Sequence, residues 1–239
     1  MTPKAHTQPI HLRPTAPLAE RVLLPGDPGR ALALAQELIE GPLMFNHHRG
    51  LWGYTGPALL DGLPLTIQST GMGGPSAAIV LHELIALGAR RAIRVGTCGA
   101  LDGDVALGEL VVAHEALAAD GTSRNLGAGE RVRADTELTE ALASAAGGRE
   151  TATIVSTDLF YEPNPERERE WRQAGAVAVE MEAATLFAVG ARAGIEVACV
   201  LAVSDLIGEQ RAGERERIDD VALLKAAGAM GRAAVEALV

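Results

Sequence analysis

Short, continuous apolar runs alternate with segments of helical period along most of this chain. Runs at 21–24, 63–69, 92–95, 109–113, 151–155, 176–179 and 197–203 are rich in Val, Leu, Ile and Ala. Unbroken runs of this length fit strands covered on both faces better than half-solvated ones. Segments 29–39, 75–87, 135–146, 166–174, 182–193 and 219–238 read as helices between several of them. That alternation predicts an α/β fold, and with no linker or repeat the chain reads as one domain over 1–239. Around Trp52 and Tyr54, the glycines at 50, 53, 56 and 62 predict strands and turns, a hairpin among them. The charge-dense stretch 209–217 reads as a mobile, solvated loop or helix start.

Composition narrows the function classes. Nearly half of the 239 residues are hydrophobic, enough for a large core, but no apolar stretch approaches the roughly 18–20 residues of a membrane span. The first ten residues lack an apolar signal core. Cys98 and Cys199 sit in buried-looking runs without metal-ligand spacing. The expected setting is a reducing cytoplasm, with no disulfide framework. A formal charge of −10 argues against a nucleic-acid partner while leaving a small anion open. The basic residues are almost all arginine, which suits bidentate oxyanion binding, although genome composition explains the bias equally well.

Candidate chemistry gathers where strands end, the place an α/β sheet puts its ligands. LPGDPGR at 24–30 closes the first strand and opens the first helix. Gly26 permits close backbone approach, the helix start offers free N–H groups, and Arg30 reaches back to the same spot. A plain turn capped by Asp27 is the equal alternative. RVGTCGA at 94–100 places Arg94 inside an apolar strand, where its charge demands an anionic partner, and Thr97 adds a hydroxyl. That partner is a ligand or a structural carboxylate. GMGGPS at 71–76 completes no nucleotide-loop pattern. Two further apolar runs end in acids, Glu180 and Glu182 flanking Met181, then Ser204 and Asp205. Phe160 and Tyr161 could stack on a planar base or serve as core or lid. The histidines form no metal motif, and no serine-nucleophile motif is present. Arginines facing an anion and acids facing something polar suggest transfer involving phosphate.

Taken together, LPGDPGR, HHRGLWGYTG, GMGGPS, RVGTCGA, STDLFY, VEMEAA and VSD, in this order, resemble the nucleoside phosphorylase family that includes hexameric bacterial purine nucleoside phosphorylases and uridine phosphorylases. The resemblance runs from the PIH stretch at 9–11 to the last helix. It implies a mixed, distorted barrel-like sheet flanked by helices. It implies that Gly26, Arg30, Arg94 and Thr97 bind phosphate, with Arg49 reaching the phosphate of a neighbouring subunit. His11 would contact the ribose 5′-hydroxyl across the same interface. Glu182 would hold the 2′- and 3′-hydroxyls as an ionised clamp, with Met181 and Met72 packed on the sugar. Phe160 and Val179 would line the base, with Glu180 near it. Ser204 and Asp205 would face the purine, Asp205 as general acid at N7. Arg215 aligns with an arginine that moves towards that aspartate, and Arg217 is its substitute if the loop is shorter. The implied reaction is reversible phosphorolysis of purine nucleosides. It uses phosphate as co-substrate and needs no metal or organic cofactor. The implied assembly is a homohexamer built as a trimer of dimers.

Other readings fit these residues less well. Uridine phosphorylases hold uracil with a glutamine and an arginine after the FY motif, and 161–167 has no glutamine. A methylthioadenosine-type nucleosidase would not need Arg30, Arg49 and Arg94. The incomplete glycine fingerprint and the missing acid at its expected spacing disfavour a nicotinamide dehydrogenase, and a non-catalytic nucleotide-binding module would not need Asp205 as an acid.

Overall fold

The computed structural model describes residues 9–101, 103–148, 150–207 and 216–239. In chain order the elements are β1 (Arg21–Leu24), α1 (Pro28–Leu38), β2 (Leu43–Asn46), β3 (Gly53–Pro57), β4 (Pro64–Gln68), α2 (Gly74–Leu87), β5 (Arg91–Ala100), β6 (Leu110–Ala119), α3 (Gly121–Asn125), β7 (Arg131–Arg133), α4 (Thr136–Ala145), β8 (Ala152–Thr157), α5 (Pro165–Gln173), β9 (Ala176–Glu180), α6 (Ala183–Ala193), β10 (Glu196–Leu206), β11 (Glu216–Arg217) and α7 (Asp220–Ala237). Asp27, Asp135 and Asp219 start α1, α4 and α7 by accepting backbone N–H bonds from Arg30, Leu138 and Ala222, as N-cap aspartates do.

The strands join in the order β11-β10-β6-β8-β9-β5-β1-β4-β3-β2, with β7 beside β6. An additional β10–β5 pairing closes β10, β6, β8, β9 and β5 into a ring. The sheet is mixed: β5 runs parallel to β1 and β10, while β9 meets β5 antiparallel. This is the barrel-like α/β architecture expected from the family resemblance. Helices cover the sheet on both faces, which is why the runs are continuously apolar. On β10, Cys199, Leu201 and Val203 enter the core under α2 and α6, while Ala198, Val200 and Ala202 enter the one under α1, α4 and α7.

The seven expected strands and six expected helices are all present. β6 extends well past residue 113 because its polar Glu115 is matched within the sheet: Arg131 pairs with it and the Thr153 hydroxyl donates to it at 2.9 Å. β5 likewise continues through its glycines to Ala100. The short β2, β7 and α3 escaped the sequence pattern. Of the charged stretch 209–217, residues 209–215 lie outside the described residues. At its end, Glu216–Arg217 forms strand β11 against β10 rather than a loop or a helix start.

Candidate functional site

β5 changes partner along one edge. Its residues 91–94 pair with β1, and Gly99 and Ala100 pair with β9. Residues 95–98 face a gap on that side. A cavity of about 400 Å³ opens there, lined by Gly26, Arg30, Met72, Arg94, Thr97, Phe160, Val179, Glu180, Met181, Glu182, Ser204 and Asp205 among others. Twelve of the fifteen site residues expected from sequence thus meet in one pocket, of a size suited to a small molecule.

The cationic end is built by two glycine turns and one strand. The Gly71 N–H donates to the Gly26 carbonyl at 3.0 Å, tying the turn after β1 to the turn before α2. A Cβ at Gly26 would stand 3.3 Å from the Gly71 carbonyl oxygen and 4.0 Å from Arg94 Nη1, and one at Gly96 would strike the Arg94 guanidinium at 2.7 Å. Glycine at 96 therefore leaves room for the Arg94 guanidinium, and glycine at 26 allows the close approach of the Gly71 backbone. Of the two alternatives left open for Arg94, the structure contains the carboxylate partner. It pairs with Glu180 at 2.8 Å and Glu182 at 2.6 Å, yet its buried Nη1 has no hydrogen-bond partner among the described residues. Burial disfavours the Arg94 charge, but the two glutamates outweigh burial and hold the guanidinium above its ordinary range. Arg30 shows the opposite balance: burial and then the Arg94 charge push it below its ordinary range. An unmatched buried donor beside a second crowded cation is a place that an anion would complete.

The two acids beside Met181 differ in their surroundings. Glu180 lines the cavity and is at the same time held within the fold. Its side chain is 0 % exposed, and it accepts from Arg94, from the Ser156 hydroxyl and from the N–H groups of Glu182 and Ala183. Every oxygen of Glu180 is occupied in pinning β9, β8 and the start of α6 together. Glu182 is the pocket acid. One oxygen accepts the Gly73 N–H at 2.5 Å, the other meets Arg94, and further lone pairs remain for hydroxyl donors. Burial pushes its carboxyl above the ordinary range, against the pull of Arg94, so it is less readily ionised than the expected clamp.

At the other end, β10 carries a bulge: Val203 pairs with Cys98 and Asp205 with Gly99, leaving Ser204 as the extra residue. A bulge breaks the alternation of side chains, and both Ser204 and Asp205 reach the pocket. The Ser204 hydroxyl donates to Asp205 Oδ1 at 2.8 Å and to the Cys98 carbonyl at 3.2 Å. Asp205 is buried. Arg94 and Gly99, the β5 residues at the two ends, are five residue steps apart, which is about 16 Å of strand. Phe160 lines the wall, whereas Tyr161 is exposed and packs edge-on against it. Sequence reasoning missed Trp171 and Ile207 in the lining. Trp171 had a signal, since it is the one large apolar residue of the otherwise charged helix PEREREWRQ.

His11 and Arg49 do not line this chain's pocket; Arg49 is exposed. Arg215 lies outside the described residues. Arg217 stands opposite Asp205 in the β10–β11 pairing, so the two side chains emerge on the same face of the sheet. Among the described residues no cluster of His, Cys, Asp and Glu has the makings of a metal site, and no helix is long and apolar enough to cross a membrane.

The chain is similar to known proteins over most of its length. It is 36% identical over 210 residues to the DeoD-type purine nucleoside phosphorylase of Caldanaerobacter subterraneus subsp. tengcongensis, covering 84% of this chain and 89% of that one. With the enzyme of the same name from Jannaschia sp. it shares 38% over 210 residues, with 84% and 88% covered. Among solved structures, the uridine phosphorylase from Vibrio fischeri ES114 complexed with 6-hydroxy-1-naphthoic acid superposes with a TM-score of 0.80 at 26% identity, covering 92% of this chain and 91% of that one. Residues 20–239 match the family described as the phosphorylase superfamily, and the chain belongs to that superfamily.

Proposed function

We propose that this protein is a purine nucleoside phosphorylase. It cleaves purine ribo- and deoxyribonucleosides with inorganic phosphate to the free base and α-(deoxy)ribose-1-phosphate, and reverses the reaction. One observation carries the reading: a single cavity joins an unmatched buried Arg94 donor beside Gly26 and Arg30 to a buried Ser204–Asp205 pair. The relatives named purine nucleoside phosphorylase support it.

In this reading phosphate lies against Gly26, Arg30, Arg94 and Thr97. One of its oxygens attacks C1′ of the sugar, the C1′–N9 bond breaks through a ribose with oxocarbenium character, and the bonding electrons pass to the purine. Asp205 gives a proton to N7, which makes the base a competent leaving group. The arginines hold the attacking anion opposite that base, and its charge stabilises the cationic sugar. Glu182 takes the 2′- and 3′-hydroxyls, Met72 and Met181 pack on the sugar, and Phe160 and Val179 flank the purine. Attack from the face opposite the base inverts C1′. Phosphate is a co-substrate, and these steps call for no metal or organic cofactor. Arg217 is better placed than any other described arginine to assist Asp205.

We place the active form as a homohexamer, a trimer of dimers, in which His11 and Arg49 complete the neighbouring pocket. The position of both outside their own pocket supports this. The buried thiols Cys98 and Cys199 are unpaired and suit a cytoplasmic setting.

The uridine reading is disfavoured by helix α5. Its Arg172 is held by the carbonyls of Leu101 and Ile207 at 2.7 and 2.8 Å, and Arg167 and Arg169 form exposed pairs within the helix. Arg172 is thus committed to the fold, and no glutamine accompanies Arg167 in 161–167. The direct test of phosphorolysis against hydrolysis is phosphate dependence. Inosine cleavage should vanish in phosphate-free buffer and return on titration with phosphate, and equal cleavage without phosphate would make the protein a nucleosidase.

Asp205 also bears on base choice. An aspartate accepts from a 6-amino group and, when protonated, donates to a 6-oxo group. Adenosine is therefore expected to be cleaved along with inosine and guanosine. Initial rates on the three decide this, and negligible adenosine cleavage would remove the inference.

A further inference from the structure

Two stretches that line no part of this chain's own pocket are bound to each other by an unusual set of hydrogen bonds. Glu83, on α2, accepts the N–H groups of Ile10, His11 and Leu12 at 3.0, 3.0 and 2.6 Å and faces His11 Nδ1 at 2.8 Å. Burial opposes the Glu83 charge, but these bonds outweigh it and hold the carboxyl below its ordinary range. His48 Nδ1 donates to the His11 carbonyl at 2.9 Å. Asn46 is fully buried. Its Oδ1 accepts the Arg13 N–H at 2.9 Å, and its Nδ2 donates to the carbonyls of His48 and Leu51 at 3.3 and 2.5 Å. It thus spans the turn that holds Arg49. Arg49 itself sits at φ 61°, ψ 17°, and among the described residues it is the one non-glycine with positive φ. Such a conformation persists only where the surroundings enforce it.

We propose that Asn46 and Glu83 are positioning residues that join the His11 segment and the Arg49 turn into one preorganised block, presented to the pocket of a second copy of the chain. The proposal rests on the reading that His11 and Arg49 act across a subunit interface. Large apolar side chains surround the block in sequence: Ile10 is 65% exposed, Met44 39% and Trp52 40%. Exposed apolar residues flanking polar groups suit burial against another protein surface. With Nδ1 engaged by Glu83, His11 keeps Nε2 for a ligand, as an acceptor when the ring is neutral. That matches a sugar hydroxyl. Preorganisation explains why a surface segment is tied by so many bonds: a fixed histidine and arginine lose little freedom when they bind.

Steady-state kinetics of the full-length protein test this. Glu83→Gln keeps the shape but leaves a single acceptor oxygen and sets an amide donor against the remaining N–H groups. One misplaced hydrogen bond corresponds to roughly a tenfold change. The KM for inosine should rise by about that factor, kcat and the KM for phosphate should hardly move, and the preference for inosine over 5′-deoxyinosine should shrink in proportion. Asn46→Ser, which loosens both segments, should raise both KM values. In combination with His11→Ala, Glu83→Gln should add nothing further. An additive double variant, or a Glu83→Gln protein that loses only thermal stability while keeping its 5′-hydroxyl preference, overturns the proposal. If His11→Ala alone leaves that preference intact, the cross-subunit reading of His11 fails, and the proposal falls with it.

Discussion

Asp205→Ala is expected to lower turnover of inosine and adenosine by about 10²–10⁴-fold, the range that general acid catalysis commands. Binding of phosphate should change little, because Asp205 lies towards the Gly99 end of the open β5 edge and Arg94 at its start. A sharper readout comes from a nucleoside already cationic at N7, such as 7-methylguanosine, whose base leaves without a proton from the enzyme. The variant should cleave it at a rate near that of the parent. Equal loss on both kinds of substrate would show that Asp205 holds the base or the fold and does not deliver the proton. Ser204→Ala removes the hydroxyl that donates to Asp205 and makes a milder companion variant.

The second large effect concerns stability. Arg94→Met removes the only cation paired with Glu180 and Glu182 among the described ion pairs. Breaking a buried pair by deleting one partner costs about 3–5 kcal/mol, and chemical denaturation at neutral pH should reveal a loss of that order together with loss of phosphate binding. The deficit should depend on pH, with a definite sign. Burial already pushes the Glu182 carboxyl up and Arg94 restrains it, so the variant leaves burial and the Glu180 charge opposed only by the backbone N–H groups of Gly73 and Met181. A carboxyl whose folded-state value lies above its unfolded value binds protons more readily when folded, so stability falls as pH rises through that interval. The variant should therefore recover relative to the parent as pH is lowered towards the ordinary carboxylate range. Glu182→Gln in the Arg94→Met background should restore part of the loss at neutral pH. A variant as stable as the parent across this range would show that the ion pairs contribute little.

Much of this was legible in the chain because the signals are local. An apolar run covered on both faces, as at β1 or β10, looks like one, and Asp27 announces the start of α1 by its own side chain. The strand ends named the pocket's main groups for the same reason. What escaped depends on residues far apart in sequence. Glu180 and Glu182 are indistinguishable as acids beside Met181. The Ser156 hydroxyl and the N–H groups of Glu182 and Ala183 occupy Glu180, whereas Glu182 meets the distant Gly73 N–H. β7 is three residues long and is held by pairing with β6, by burial of Val132 and by the Arg131–Glu115 contact. Trp171 belongs to the site because α5 lies over β9, which no periodicity in its helix records. His11 and Arg49 were assigned from family resemblance, and their fastening through Glu83, His48 and Asn46 could not be read from spacing.

The change of partner along β5 has a consequence for how the molecule opens. The ring of strands is sealed between β5 and β9 by Gly99 against Val179 and Ala100 against Ala178, whereas β5 and β10 pair along the whole of β5. The short seal adjoins the cavity, making it the natural place for the barrel to part first. A molecule bridging Arg94, Glu182 and Asp205 spans β5, β9's end and β10, and so acts as a rivet across that seam. Occupancy and cohesion are then one equilibrium: each substrate that binds the closed ring alone raises its resistance to unfolding with the logarithm of its concentration over Kd.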